Sequence, residues 1–281
     1  QVRERVFVMA TYVGTTMSHV DVEPSVPHLP VDNWSPSEWD LVEHLPVQPD
    51  PELSHRLRLN LGPAETTWVE AWNDFVVTLR SAGVEKLPGF PVWVDAFVHQ
   101  DDLVVPPGTA DWKATFLRKN AEFYSEHQEL LEAWLSRWDY LRGFPASRRK
   151  FEWQAQDARS LLDTVMHLRP SGIRVKQATY VPALVAITQT SILGDRQRRI
   201  SPREAARLQG LPEWFDFGDQ PDAATYKQMG NGVNVGAAYH VFREHVLRTL
   251  DTVRGRAPGL AKAVELSDIS PDAAIERYWD S

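Results

Sequence analysis

Two arginines separated by one residue on an alternating segment place two fixed positive charges on one face, and Arg3 and Arg5 of Gln1-Val2-Arg3-Glu4-Arg5-Val6-Phe7 have that spacing. Fixed cations of this kind lower the cost of negative charge building up on a bound group. Taken alone, such a pair is more often a solvated strand edge. Arg174 and Lys176 repeat the spacing after the turn Arg169-Pro170-Ser171-Gly172, and Arg148-Arg149-Lys150 form a second basic cluster. Both groups have the side chains for phosphate or base-edge contact. A third candidate is Gly230-Asn231-Gly232-Val233. Small residues let backbone approach a ligand, and a helix start offers amide groups to a carboxylate, although a lone Gly-Asn-Gly is also an ordinary turn.

Other chemistry is excluded or unsupported. The chain has no cysteine, so it supplies no thiol nucleophile, disulfide or cysteine-ligated zinc. The nine histidines show no metal-ligand spacing; His240 and His245, five apart, fall on different helix faces. Asp95, Asp101 and Asp102 read as loop acids. No metal is expected.

Charge is distributed unevenly. The net value is −8, yet Arg142 to Arg207 holds 13 Lys plus Arg against 5 Asp plus Glu, leaving 17 basic and 33 acidic residues elsewhere. A basic segment in an acidic chain fits one DNA-facing surface or, equally, a solvated helix face. With 281 residues and 43% hydrophobic content, one or two domains can bury a sizeable core. No apolar run reaches the roughly 18 residues of a membrane span, so no membrane partner is expected and a cytoplasmic location suits the composition. A strand-like run starting at once from Gln1 reads as a piece of a longer polypeptide.

The elements needed to position these residues follow from periodicity. Val2 to Val13 alternates as a strand, and Glu23 to Pro51 is Pro-rich connection with one short helix near Ser37 to His44. Pro63 opens a helix with an apolar face at Trp68, Val69, Trp72, Phe75, Val76 and Leu79, stopped by Gly83. Pro91 to Val98 reads as a strand, Asp111 to Tyr140 as one helix or two, and Lys150 to Leu168 as another helix. Ile173 to Val185 and Ala186 to Leu193 read as strands. Ser201 with Glu204 is a capping-box signature ahead of Pro202, a long helix is expected over Val233 to Val253, and Ser270-Pro271-Asp272 begins a last short one. Most of the 11 tryptophans, at helical spacing, are expected in the core, with Trp214, Phe215 and Phe217.

Three strings carry a family resemblance in order. The first seven residues resemble motif VIII of the DNA (cytosine-5)-methyltransferases, the Gln-x-Arg-x-Arg strand. Ser201-Pro202-Arg203-Glu204-Ala205-Ala206-Arg207-Leu208-Gln209-Gly210-Leu211-Pro212 resembles motif IX, and Tyr226-Lys227-Gln228-Met229-Gly230-Asn231-Gly232-Val233 resembles motif X. The resemblance implies an α/β, mixed architecture: a partial Rossmann-like methyltransferase domain (last strand and closing helix) plus a large α+β target-recognition domain. Residues 1–20 would be the catalytic-domain strand, 21–200 the target-recognition domain, 201–255 motifs IX and X, and 256–281 a tail. It further implies S-adenosyl-L-methionine as cofactor and double-stranded DNA as partner, with a cytosine flipped out for attack at carbon 6 by a cysteine. Arg5 would meet the base oxygen with Arg3 in support. Gly230, Asn231 and Val233 would line the cofactor, and Arg148, Arg149, Lys150, Arg174 and Lys176 would touch DNA. Thr188 of Ile187-Thr188-Gln189 would help place its backbone, although Gln189 replaces the family's leucine and Thr190 competes for the role. Arg203 and Arg207 are expected to be structural. The family's Pro-Cys nucleophile and Gly-rich cofactor loop are not in this chain, so alone it is expected to be inactive. It would need an N-terminal catalytic portion, in the same or a separate polypeptide. A DNA-binding specificity subunit is the alternative reading.

Overall fold

The structure is a computed structural model that describes residues 6–12, 56–185 and 190–274. It divides into two compact units, one formed by Asp40–Pro182 with Thr188–Ser201, the other by Gln1–Trp39, Ala183–Ile187 and Pro202–Ser281. We call them the sheet unit and the helical unit.

The sheet unit is built on α1 (Pro63–Ser81). Proline at the first helical position and the Glu65 carboxylate accepting from the Gly62 amide (3.0 Å) start it. Its stripe of Val69, Trp72, Phe75, Val76 and Leu79 is fully buried. Trp72 stacks on Phe151 at 4.6 Å between centroids and meets Trp134 at 5.2 Å. Both buried indoles donate to backbone oxygens, Trp72 to Arg148 and Trp134 to Ala71, each at 2.8 Å, so the aromatic core leaves neither N–H unpaired. The helical stretch expected over 111–140 is two helices, α2 (Asp111–Glu126) and α3 (Gln128–Arg137), broken at His127.

Against them packs a six-stranded mixed sheet: β1 (Val92–Trp93), β2 (Lys150–Gln154), β3 (Thr164–Arg169), β4 (Gly172–Gln177), β5 (Ile192–Leu193) and β6 (Arg198–Arg199). Its order is β1-β2-β4-β3-β5-β6, with β2 and β4 parallel and the other neighbours antiparallel. The expected helix over Lys150 to Leu168 is therefore wrong. Phe151 and Trp153 are buried while Glu152 and Gln154 turn away, a period of two rather than 3.6. Only Leu161–Asp163 forms a single helical turn between the strands. The other expected strands are shorter than their apolar runs: Pro91 to Val98 pairs only at Val92–Trp93 before turning into Val94–Ala96, and residues 178–185 belong to none of the six strands.

The helical unit contains α4 (Pro202–Leu208), α5 (Asp222–Asn231), α6 (Val235–Arg248), α7 (Leu250–Arg256) and α8 (Pro258–Glu265), and residues 271–274 are helical. The single long helix expected over Val233 to Val253 breaks at Thr249, and α8 was not anticipated. A small aliphatic core of Val246, Val253, Ala261 and Val264 joins the last three helices. Among the described part of Val2 to Val13, residues 6–12 carry no strand pairing. The segment is instead tied to helices: Thr11 Oγ1 lies 2.8 Å from His245 Nε2, and Arg256 covers the Tyr12 ring. A strand needs a neighbour to take its backbone hydrogen bonds, and no described residue flanks this segment in that way. The short helix expected near Ser37 to His44 lies outside the described residues.

Candidate functional site

Two groups of candidate residues can be built up from the fold, one in each unit. In the sheet unit, register decides which side chains share a face. Phe151, Ile173, Val175, Met166 and Leu168 turn to the core. Their alternates on the opposite face are Lys150, Glu152 and Gln154 of β2, Arg174 and Lys176 of β4, and Val165, His167 and Arg169 of β3, with Glu152 opposite Arg174 and His167 also opposite Arg174. The structure thus brings together Lys150, Arg174 and Lys176 as expected from sequence, and adds Arg169 and His167. Those two were missed because the helical reading of 150–168 hid the strand; the alternation of Phe151 and Trp153 with Glu152 and Gln154 was the available signal.

The cations on and around this face differ in their partners. Arg148 donates to the Arg169 carbonyl at 2.6 Å and lies over the Trp68 ring. Arg149 pairs with Asp95 at 2.7 Å. These two secure the 3-10 turn Ala146–Arg149 to its surroundings and do not reach out as a phosphate clamp at a helix start. Arg174 pairs with Glu152 at 2.8 Å. The lysines have no carboxylate partner among the described residues. Lys176 donates to the Tyr180 hydroxyl at 2.9 Å and covers its ring, and Lys150 lies 5.1 Å above Trp93. Arg169 likewise has no ion-pair partner among the described residues; burial and the neighbouring Arg174 draw its pKa down. His167, buried and joined to Ser191 Oγ at 2.6 Å, is pushed down to about 4 by burial and by Arg169, Lys176 and Arg174. One carboxylate among these cations leaves the face with net positive potential.

In the helical unit, α4 ends in a Schellman turn. Gly210 sits at φ +72, its amide donates to Arg207 O (2.9 Å), and Leu211 donates to Ala206 O (3.0 Å). The string Arg-Leu-Gln-Gly-Leu-Pro is the sequence of that stop. The Leu208 and Gln209 carbonyls then accept from the start of α6, from Asn234 Nδ2 at 3.1 Å and the Val235 amide at 2.8 Å. A helix C-terminus facing a helix N-terminus joins opposite dipole ends. The Gln209 side chain also donates to the Met229 carbonyl in the last turn of α5. Arg203 donates to Phe215 O at 2.8 Å and stacks on Phe217, and Arg207 grips Glu213 with two nitrogens. Trp214, expected in the core, is exposed.

This junction revises the expected geometry of Gly230-Asn231-Gly232-Val233. Gly230 and Asn231 close α5, Gly232 caps it, and α6 begins only at Val235 behind the N-cap Asn234. Amides at the start of α6 are already engaged: Val235 with Gln209 O, Ala237 with Asn234 Oδ1 and Ala238 with Asn234 O. A carboxylate held by several free amides does not fit here. Side-chain contact fits better, since Asn231 is exposed and Val233 is 46% exposed, while Gly230 is buried. Arg3, Arg5 and Thr188 lie outside the described residues.

The model of the C-5 cytosine-specific DNA methylases matches residues 1–247. The chain belongs to that family. A type II methyltransferase, M.AluI of Cellulosimicrobium cellulans, is 43% identical over 318 aligned positions, covering 88% of this chain and 61% of the relative. The chain therefore spans about three fifths of that relative's length. Shorter matches reach M.HgiCI of Herpetosiphon aurantiacus, 54% identical over 41 residues (15% of this chain, 10% of the relative), and M.SsoII of Shigella sonnei, 42% over 59 (21% and 15%), both type II methyltransferases. No solved structure matches. Two absences hold among the described residues: no helix is long and apolar enough to cross a membrane, and no cluster of acids and histidines could hold a metal ion.

Proposed function

We propose that this chain is the C-terminal, DNA-recognising part of a DNA (cytosine-5)-methyltransferase of restriction-modification type. The sheet unit serves as target-recognition domain. The helical unit forms part of the Rossmann-like methyltransferase domain and lines S-adenosyl-L-methionine with Asn231 and Val233. The observation that carries the reading is the sheet face of Lys150, Arg169, Arg174 and Lys176, which among the described residues shares its strands with one carboxylate, Glu152. Such crowding of like charge becomes favourable beside a polyanion, whose phosphates it neutralises. Arg5, with Arg3 behind it, would meet the flipped base as negative charge develops on its ring. S-adenosyl-L-methionine supplies the methyl group. The thiol must come from the N-terminal catalytic portion, because this chain has none.

Methyl transfer from tritiated S-adenosyl-L-methionine to unmethylated duplex DNA tests this reading. The chain alone should be silent, and the chain with the N-terminal catalytic portion should be active. In that complete enzyme, Arg174→Ala combined with Lys176→Ala should weaken DNA binding while leaving cofactor affinity unchanged. Unaltered DNA binding would remove the sheet face from the site, and activity of the chain alone would refute the missing nucleophile.

A further inference from the structure

The basic face has an aromatic margin that neither the motifs nor the charge pattern explains. Trp93 of β1 pairs across the sheet with Lys150, so its side chain leaves on the same face as Arg174 and Lys176. Phe116 of α2 meets the Trp93 ring at 5.5 Å between centroids, and Trp112, one helical turn before Phe116, packs on both rings edge to face, at 6.5 Å and 6.2 Å. Trp112 is nevertheless 62% exposed. The ring is thus held in place at its inner edge and open on the remainder. A large indole left in water forgoes the burial that usually makes tryptophan worth its size, and one held by two other rings offers a fixed flat face for contact. The charge beside it selects the partner. Lys150 rests on Trp93 and forms no ion pair among the described residues, and the face beyond is positive.

An occupant needs both a negative backbone and flat π surfaces. We propose that Trp112 is a stacking contact for a nucleobase of the bound DNA, at the β1 margin of the basic face, with Lys150 holding the adjacent phosphate. This rests on the reading of the sheet unit as the DNA-binding part. Stacking on an indole tolerates any base, because every base has a π face. The pair therefore adds affinity and anchoring for an unstacked base, while sequence choice stays with groups that reach base edges.

The test is the affinity of the complete enzyme for a duplex carrying the site it methylates, measured across a salt series. Trp112→Ala should weaken binding about tenfold at every salt concentration and leave the slope of log affinity against log salt unchanged. Lys150→Ala should lower that slope by about one. Trp112→Phe should keep most of the affinity. Trp112→Leu, which preserves apolar packing against Trp93 without a π face, should bind as poorly as the alanine variant; full affinity in the leucine variant would reduce Trp112 to packing and overturn the proposal. A slope change in Trp112→Ala like that of Lys150→Ala would also overturn it, by making the ring a mere prop for charge. Wild-type binding by Trp112→Ala alongside weakened binding by Lys176→Ala would sink this inference and spare the DNA face. Wild-type binding by Lys150→Ala and Lys176→Ala together would sink the DNA face itself. A dimer that Trp112→Ala dissociates in sedimentation would assign the ring to a second copy of the chain instead.

Discussion

The sheet unit and the helical unit solve the problem of burial differently. The first encloses a dense aromatic centre, with Trp72, Phe75, Trp134 and Phe151 almost free of solvent and each buried indole N–H paired. The second has four buried aliphatic residues at its C-terminal helices and leaves Val6, Val8, Phe242, Leu266 and Ile269 open to water, Val6 at 92% exposure. Hydrogen bonds from Gln209, Asn234 and the Gly210 turn join the ends of α4, α5 and α6. The sheet unit also exposes apolar side chains, Val104 at 82% and Trp112 at 62%, but around a closed core, whereas open apolar surface beside so small a core suits cover by a partner. The difference accords with the proposed division into a recognition domain and part of a catalytic one.

The largest effect should come from opening the closed core. Trp72→Ala removes a stacked, hydrogen-bonded indole and should cost about 3–5 kcal/mol. Calorimetry of the chain should show two transitions, the helical unit melting first, with this variant lowering only the upper one. A parallel shift of both would break the contrast between the units. Next in size is the acid sensitivity that His167 gives the sheet unit. An unfolded His167 takes up a proton near pH 6.5, and the folded one resists until about 4. Stability is therefore complete above 6.5 and falls as pH drops to about 4, by about 3 kcal/mol at most. His167→Gln should flatten that slope in melts from pH 7 to 4. Bound duplex DNA should also flatten it, because the phosphates offset the three neighbouring cations. A wild-type slope in the glutamine variant would remove His167 as its cause.

A smaller effect belongs to the helical unit. Gly210 at φ +72 has space for a methyl group, the nearest atoms to an added Cβ being 3.5 Å away, so Gly210→Ala suffers conformational strain without a clash. A loss of about 1–2 kcal/mol is expected. It should lower the first transition only, because the Gly210 turn holds Leu208 and Gln209 against the start of α6. If the upper transition moved instead, the turn would belong to the wrong unit.

How far sequence carried the reading follows the same divide. Helix α1 was legible from Pro63 to Gly83 because its apolar stripe and both end signals lie within one turn of their targets. Motifs IX and X were legible as strings, but their meeting was not, since Gln209 and Met229 are brought together by tertiary packing. The helical reading of 150–168 failed because Leu161, Val165 and Leu168 recur at helical spacing and outweighed Phe151 and Trp153, whose spacing of two fits a strand. Once Ile173 and Val175 are paired beside them, alternation wins. The charge segment from Arg142 to Arg207 pointed to a surface but could not separate Arg148 and Arg149, which secure the turn before β2, from Lys150 and Lys176, which form no ion pair among the described residues. That sorting depends on which carboxylate the fold delivers to each arginine.

The smallest expected effect gives the finest distinction between the units. Ile269 is 65% exposed in the helical unit, so Ile269→Ser removes little burial and should change the stability of the chain by less than about 0.5 kcal/mol. If the open apolar surface exists to be covered, the same substitution should matter once the N-terminal catalytic portion is added. The wild-type chain should aggregate at a lower concentration than the serine variant when alone, and should associate with that portion more tightly when mixed, as titration calorimetry can measure. Trp112→Ser, an equally exposed change in the sheet unit, should leave that association untouched. Equal behaviour of the two variants would mean that exposed apolar residues carry no information about which unit is incomplete. The contrast would then rest on core composition alone.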